Sequence, residues 1–182
     1  MKMLQAKVDR QTDFSYPDET QKKEKESKTM VTVIKDPDKK RAIARTVLEA
    51  LPEWFEVKES REVYIRDCAD WTFLAAKDDD RIMGFLCLKK TGNATVELAV
   101  MGVMKEYHRK GIGRKLVEKA KESAKAEGYE FMQVKTVKMG MYDDYDRTNL
   151  FYISCGFREL EVFPLLWDKA NPCQVYVMSL KC

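Results

Sequence analysis

Histidine is almost absent: the 182-residue chain contains one, His108. That argues against histidine-based metal sites and against Ser-His-Asp machinery. Cysteine is sparse and unpatterned. Cys68, Cys87, Cys155, Cys173 and Cys182 form an odd set without a CxxC pair, which indicates neither a disulfide framework nor a zinc finger. No run approaches the roughly 18 apolar residues of a membrane span, and the N-terminus lacks the apolar segment of a secretory signal. An excess of one charge is missing as well, with 33 Lys and Arg against 30 Asp and Glu for a net +3. A nucleic-acid binder would need a segregated basic face, and none stands out. The composition therefore predicts a cytoplasmic protein working without metal, nucleic acid or membrane, and it leaves a homodimer open.

What is present is a core. The apolar set makes up 45% of the chain, enough for one domain. Residues 1–30 are the exception, with seven Lys/Arg, six Asp/Glu and few large apolar residues, and are read as a polar extension. From residue 31 the pattern alternates between strand and helix. Val31–Ile34 reads as a strand, and Asp36-Pro37 as the cap and first residue of a helix through 38–50, ended by Pro52. A short helix follows near 60–68. Residues 71–76 and 81–88 form a hairpin around Asp78-Asp79-Asp80, and 94–103 is a further strand. Ile112, Leu116, Val117, Ala120 and Ala124 recur at helical spacing between Gly111 and Gly128. Residues 131–137 read as a strand, making 95–137 a βαβ unit with parallel outer strands. A helix over 147–155 and strands at 157–163 and 174–180 complete the domain. The expected class is α/β (α+β), a mixed, mostly antiparallel sheet of six to seven strands flanked by about four helices.

The most informative segment is His108-Arg109-Lys110-Gly111-Ile112-Gly113-Arg114, which leaves a strand and opens a helix. Two glycines one residue apart let the backbone curl with its amides facing the space before the helix. The helix start adds unpaired N–H groups and a partial positive charge, so the turn can cradle a pyrophosphate. GxG alone fits an ordinary glycine-containing turn with a solvated basic face at least as well. The P-loop pattern is absent, and Leu116 stands where a dinucleotide fingerprint needs its third glycine.

The spacing that fits resembles the coenzyme A pyrophosphate loop of the GNAT superfamily of acyl-CoA N-acyltransferases, usually Gln/Arg-x-x-Gly-x-Gly/Ala. Thr148-Asn-Leu-Phe-Tyr-Ile-Ser-Cys-Gly-Phe157 is similar to the family's Ala-x-x-x-Tyr-x-x-x-Gly-Phe helix end, and the resemblance extends over 31–182 in element order. Three positions depart from the usual pattern: His108 replaces Gln or Arg, Thr148 replaces Ala, and Tyr145 replaces an Asn seven residues before the tyrosine.

The resemblance implies acetyl-CoA as co-substrate and an N-acetyltransferase reaction, direct attack of an amine on the thioester. It places the pyrophosphate on 108–114, the pantetheine along Met101, Gly102 and Val103, and the carbonyl donor at the Met101 N–H or a neighbour. Glu97 matches a position where some members carry a catalytic glutamate. Strand alternation would put Glu97, Ala99, Met101 and Val103 on one face, and flanking Val96 and Leu98 would suit Glu97 as a base; a solvated or salt-bridged glutamate near a strand end is the alternative. Tyr152 matches the tyrosine near the coenzyme A sulfur, a thiolate proton donor, or else it is an aromatic packing residue. Cys155 reads as a structural thiol rather than an acyl carrier. The acceptor pocket would draw on Trp54, Phe55, Tyr142, Tyr145 and Trp167 with the carboxylates Glu53, Asp143, Asp144 and Asp168, an aromatic and acidic rim suited to a cationic amine. The aromatics are equally readable as core plugs. A small-molecule amine is the expected acceptor. A peptide or protein amine, or a non-catalytic acyl-CoA-binding module, is the alternative.

Overall fold

The β-branched run at 31–34 forms strand β1 (Met30–Ile34). The computed structural model describes residues 29–181, so the polar extension expected at 1–30 falls almost wholly outside the described residues. Helix α1 (Pro37–Glu49) starts as its sequence predicts. The Asp36 Oδ1 accepts the Lys39 N–H at 2.8 Å, and Pro37 occupies the first position, where no N–H is required. Pro52, expected only to end that helix, also opens a second, four-residue helix, α2 (Pro52–Phe55). Helix α3 (Lys58–Asp67) continues into a 3-10 turn at Cys68–Asp70.

Strands β2 (Thr72–Asp78) and β3 (Arg81–Lys90) form the expected hairpin, with Asp79 in the left-handed region at its turn. Then come β4 (Thr95–Val103), α4 (Ile112–Ala126), β5 (Phe131–Val137), α5 (Asp143–Ser154), β6 (Arg158–Phe163) and β7 (Cys173–Ser179). Helix α5 begins four residues before the predicted start. Asp143, Asp144 and Asp146 fill its first turn, where negative charge meets the positive end of the helix dipole. None of the described helices is long and apolar enough to cross a membrane.

The seven strands make one sheet in the order β1-β2-β3-β4-β5-β7-β6. Every pair is antiparallel except β4 with β5, the parallel pair expected of the βαβ unit. Each face buries its own core. On one face the α4 stripe Ile112, Leu116, Val117, Ala120 and Ala124 packs with Leu74, Leu86, Leu98, Met132, Tyr152 and Phe157. On the other, Ile43, Ala44, Val47 and Leu48 of α1 pack with Ile65, Phe73, Phe85 and Val100.

Two irregularities in β4 position everything that follows. Its parallel ladder with β5 covers only Thr95–Leu98 against Phe131–Val134; beyond Leu98 the strands part. At the same place the register with β3 shifts. Cys87 faces Val100 and Leu88 faces Leu98, so Ala99 is an extra residue, a β-bulge. The bulge corrects the simple alternation read from sequence. Val96 and Leu98 join the α4 core, Val100 joins the α1 core, and Met101 and Val103 pack on the α4 side. Glu97 therefore lies on the α1 face, opposite Met101 and Val103. Gly102 is required where α1 crosses β4, because a Cβ there would come within 2.7 Å of Val47 Cγ1.

Leu116 is fully buried in the α4 core. Leu116→Ala should cost roughly 2–5 kcal/mol by lost burial and a residual cavity, read from the urea midpoint of unfolding. A loss below about 1 kcal/mol would mean that the α4 stripe does not carry the core as described.

Candidate active site

The turn between β4 and α4 begins with a 3-10 turn at Lys105–Tyr107 and then alternates handedness. Arg109 has φ 63° and Gly111 has φ 79°, both left-handed. Gly111 caps α4 without a side-chain bond, and the first bond into the helix runs from the Lys115 N–H to the Gly111 carbonyl. The backbone N–H groups of residues 109–114 have no acceptor among the described residues. Such a concavity of free amides at a positive helix end suits an anion. Gly113 brings the first turn of α4 close to α5, since a Cβ there would meet Phe151 Cζ at 3.0 Å and Met101 Cε at 3.7 Å.

The side chains around the turn are not all available to a ligand. Arg114, read from sequence as part of the phosphate loop, donates to the Ser154 carbonyl at 3.1 Å and the Ser154 Oγ at 3.2 Å, tying α4 to the end of α5. Lys110 lies over the Tyr107 ring at 5.7 Å. His108 donates from Nε2 to the Val103 carbonyl at 2.7 Å, fixing the end of β4, and sets its ring edge-on to Trp54 at 6.1 Å.

Tyr152 is buried between Phe151 and Phe157, and its hydroxyl has no hydrogen-bond partner among the described residues. Burial pushes its phenol well above the usual range, with Cys155 adding to the shift. At neutral pH it keeps its proton and is an O–H donor. Burial likewise raises the Cys155 thiol, against its being a nucleophilic thiolate. One turn before Tyr152, Asn149 is fully buried. Its Nδ2 donates to the Val137 carbonyl at 3.0 Å and to the Tyr145 carbonyl at 2.7 Å, while its Oδ1 is buried without a donor.

On the opposite face, Glu97 is not the apolar-flanked carboxylate suggested by its neighbours in sequence. Its Oε2 accepts Lys135 Nζ at 2.5 Å and Gln133 Nε2 at 3.2 Å, while Oε1 has no hydrogen-bond partner among the described residues. Gln133 and Lys135 escape a reading of β4 alone, because the parallel register Glu97↔Gln133 is set by tertiary pairing. Tyr64 escapes it too. This mostly buried phenol of α3 packs edge-on to Phe55 at 6.2 Å; burial raises its pKa, with the Glu97 charge as the next cause.

The proposed acceptor residues separate into two groups. Trp54, Tyr142 and Tyr145 come together: Trp54 Nε1 donates to Thr148 Oγ1 at 3.2 Å, Tyr145 donates to the Trp54 carbonyl at 3.2 Å, and the two tyrosine rings lie 6.1 Å apart. Trp167 stays apart on the exposed loop between β6 and β7 with Leu165 and Leu166. The acidic rim is largely spent within the protein. Glu53 pairs with Lys105, which holds its carboxyl below the usual range. Asp144 pairs with Arg147, and Asp168 accepts from Ala170 and Asn171 within its own turn. A shallow cavity of about 550 Å³ lies away from this site, where Lys40 donates to the Ala69 and Trp71 carbonyls at 2.8 and 2.7 Å.

Residues 40–157 match the sequence model of the Acetyltransferase (GNAT) family. The chain belongs to that family. A search of curated protein sequences returns no match. Solved structures share the fold at low identity. A Desulfovibrio desulfuricans protein assigned to the GNAT acetyltransferases aligns over 84% of this chain and 99% of its own, with TM-score 0.73 and 18% identity. An aminoglycoside 6′-N-acetyltransferase complexed with coenzyme A aligns over 84% and 98%, with TM-score 0.67 and 16% identity. A Bacillus subtilis acetyltransferase in complex with CoA aligns over 84% and 99%, with TM-score 0.62 and 20% identity. In this GNAT acetyltransferase, the parting of β4 from β5 leaves a β4 edge without a β5 partner in front of the free amides of the α4 turn.

The buried phenols give this GNAT domain an alkaline limit. Tyr152 binds its proton more tightly folded than unfolded, so its contribution is intact below the unfolded value of about 10 and is lost as pH rises above it. Urea midpoints measured from pH 8 to pH 11 should fall with pH. Tyr152→Phe should reduce the slope above pH 10 by about 1.4 kcal/mol per pH unit, one proton's worth. An unchanged slope would mean that Tyr152 ionises freely in the folded protein.

Proposed function

We propose that the protein moves an acetyl group from acetyl-CoA to a primary amine by direct attack in a ternary complex, with a small-molecule amine as acceptor. The observation that carries this reading is the divergence of β4 from β5 beside the unpaired amides of 109–114. Coenzyme A fits what is there. The amides of the α4 turn would hold its pyrophosphate, and the edge of β4 at Met101, Gly102 and Val103, unpaired with β5 and with only the Val103 carbonyl held by His108, would pair with its pantetheine arm. The coenzyme A complexes among the solved neighbours support the same reading.

Acetyl-CoA, when bound, supplies the thioester carbon that the amine attacks. The chain's residues then have separate tasks. A backbone N–H just past the Ala99 bulge, at Met101 or its neighbour, donates to the carbonyl oxygen as negative charge develops there, worth roughly 3 kcal/mol of barrier for one well-aimed donor. Glu97, with Oε2 held by Lys135 and Gln133, takes the ammonium proton on Oε1, directly or through water. Tyr152 gives its phenolic proton to the departing sulfur. The N–C bond forms and the C–S bond breaks. One amine proton leaves through Glu97 to solvent, and the other replaces the one delivered to the thiolate. The raised Cys155 thiol supports attack without an acyl-cysteine intermediate.

The first test is thermal stabilisation by coenzyme A and acetyl-CoA but not by NAD, followed by thiol release across an amine panel. No stabilisation by either coenzyme A species would defeat the donor assignment, and stabilisation without turnover would favour a binding module. Tyr152→Phe should lower kcat by roughly 10²-fold with the KM for acetyl-CoA nearly unchanged. Glu97→Gln should lower kcat by about tenfold or more near pH 7. Its activity should recover towards pH 10, where a primary amine loses its proton unaided. A pH-independent deficit would remove Glu97 from the proton path.

A further inference from the structure

The three positions at which this chain departs from the usual family pattern are His108, Tyr145 and Thr148, and all three touch Trp54. His108 meets the indole edge at 6.1 Å, Thr148 accepts its Nε1–H at 3.2 Å, and Tyr145 donates to its carbonyl at 3.2 Å. The contacts extend outward at both ends. His108 bonds the Val103 carbonyl at the end of β4, and Asn149, next to Thr148, bonds the Val137 carbonyl at the end of β5. A continuous chain of side chains thus bridges the two parted strands, with Trp54 at its centre.

Trp54 reaches this position from the far side of the sheet. Helix α2 packs with the α1 core, whereas α5 places Tyr152 in the α4 core. Trp54 touches the start of the 108–113 loop at His108 and, at Thr148, the turn of α5 that precedes Tyr152, the two ends between which a pantetheine arm would run. Resting on the acyl-CoA reading above, we propose that Trp54 is a donor-binding residue: its indole forms the wall against which the pantetheine arm lies. The same residue then closes the acceptor side, so the two substrates share one wall. From sequence alone, Trp54 reads as an acceptor contact or a core plug, not as a donor contact.

The test separates the arm from the nucleotide. Calorimetric titration of the full chain would compare coenzyme A with 3′-phospho-ADP, which keeps the phosphates and lacks the arm. Trp54→Ala should weaken coenzyme A by about tenfold while changing 3′-phospho-ADP by less than about twofold, and Trp54→Phe should recover most of the loss. Equal weakening of both ligands would show that Trp54 only props the loop, and no weakening of either would show that the arm does not touch it; each overturns the proposal. Wild type binding neither ligand would defeat the acyl-CoA reading itself. Should Trp54→Ala not fold, the double variant Tyr145→Phe, Thr148→Ala frees the indole without removing it. It should weaken coenzyme A alone, by about threefold, and an unchanged coenzyme A affinity there would overturn the proposal.

Discussion

The parting of β4 from β5 after Leu98 is the constraint on which the rest of the site depends. A sheet normally insulates its two faces, because its ladder of backbone hydrogen bonds is continuous. Here the ladder stops at Leu98↔Val134, and the extra residue Ala99 turns the remainder of β4 over. A bulge costs a local pairing and increases twist, so it persists only where the surroundings hold it. Those surroundings are visible. α1 seats on Gly102 from one side, Phe151 fills the space beside Gly113 from the other, and His108 ties down the Val103 carbonyl.

In the proposed reaction, the gap would let groups from opposite faces address one bond. Glu97 stands on the α1 face and Tyr152 is buried in the α4 core. With a closed ladder between β4 and β5, neither could reach an atom presented to the other. Trp54 demonstrates the connection directly, since its helix packs with the α1 core while its indole N–H and carbonyl bond to α5. The proposed roles, Glu97 as base on one face and Tyr152 as acid to the thiolate on the other, would keep the two proton transfers apart. They therefore need not compete for one side chain.

The fold was legible in the sequence wherever local chemistry decides it. The Asp36-Pro37 cap, the α4 stripe and the Gly111 start of α4 follow from short-range rules, and each appears where expected. The βαβ order was enough to make β4 and β5 parallel. What could not be read is set by packing between distant segments. The bulge at Ala99 leaves no residue-type signature, so simple alternation put Glu97 on the wrong face. The Lys135 and Gln133 partners of Glu97 depend on a parallel register that neither strand encodes alone. The significance of His108, Tyr145 and Thr148 was invisible as three separate departures, and their convergence on Trp54 is a tertiary fact.

Charge shows the same difference in what the acceptor site can use. In the sequence, four carboxylates offer a negative rim for an amine. In the folded chain Glu53, Asp144 and Asp168 are satisfied by Lys105, by Arg147 and by the backbone of their own turn. A surface carboxylate already paired contributes little field to a third charge, and salt screens the remainder. On the proposed reading, selection of a cationic amine would fall to groups at close range: the aromatic faces of Trp54 and Tyr145, the exposed ring of Tyr142, and the carboxylate of the mostly buried Glu97. Short-range recognition of this kind discriminates by shape and proton position more than by net charge, which fits a chain whose overall balance is only +3.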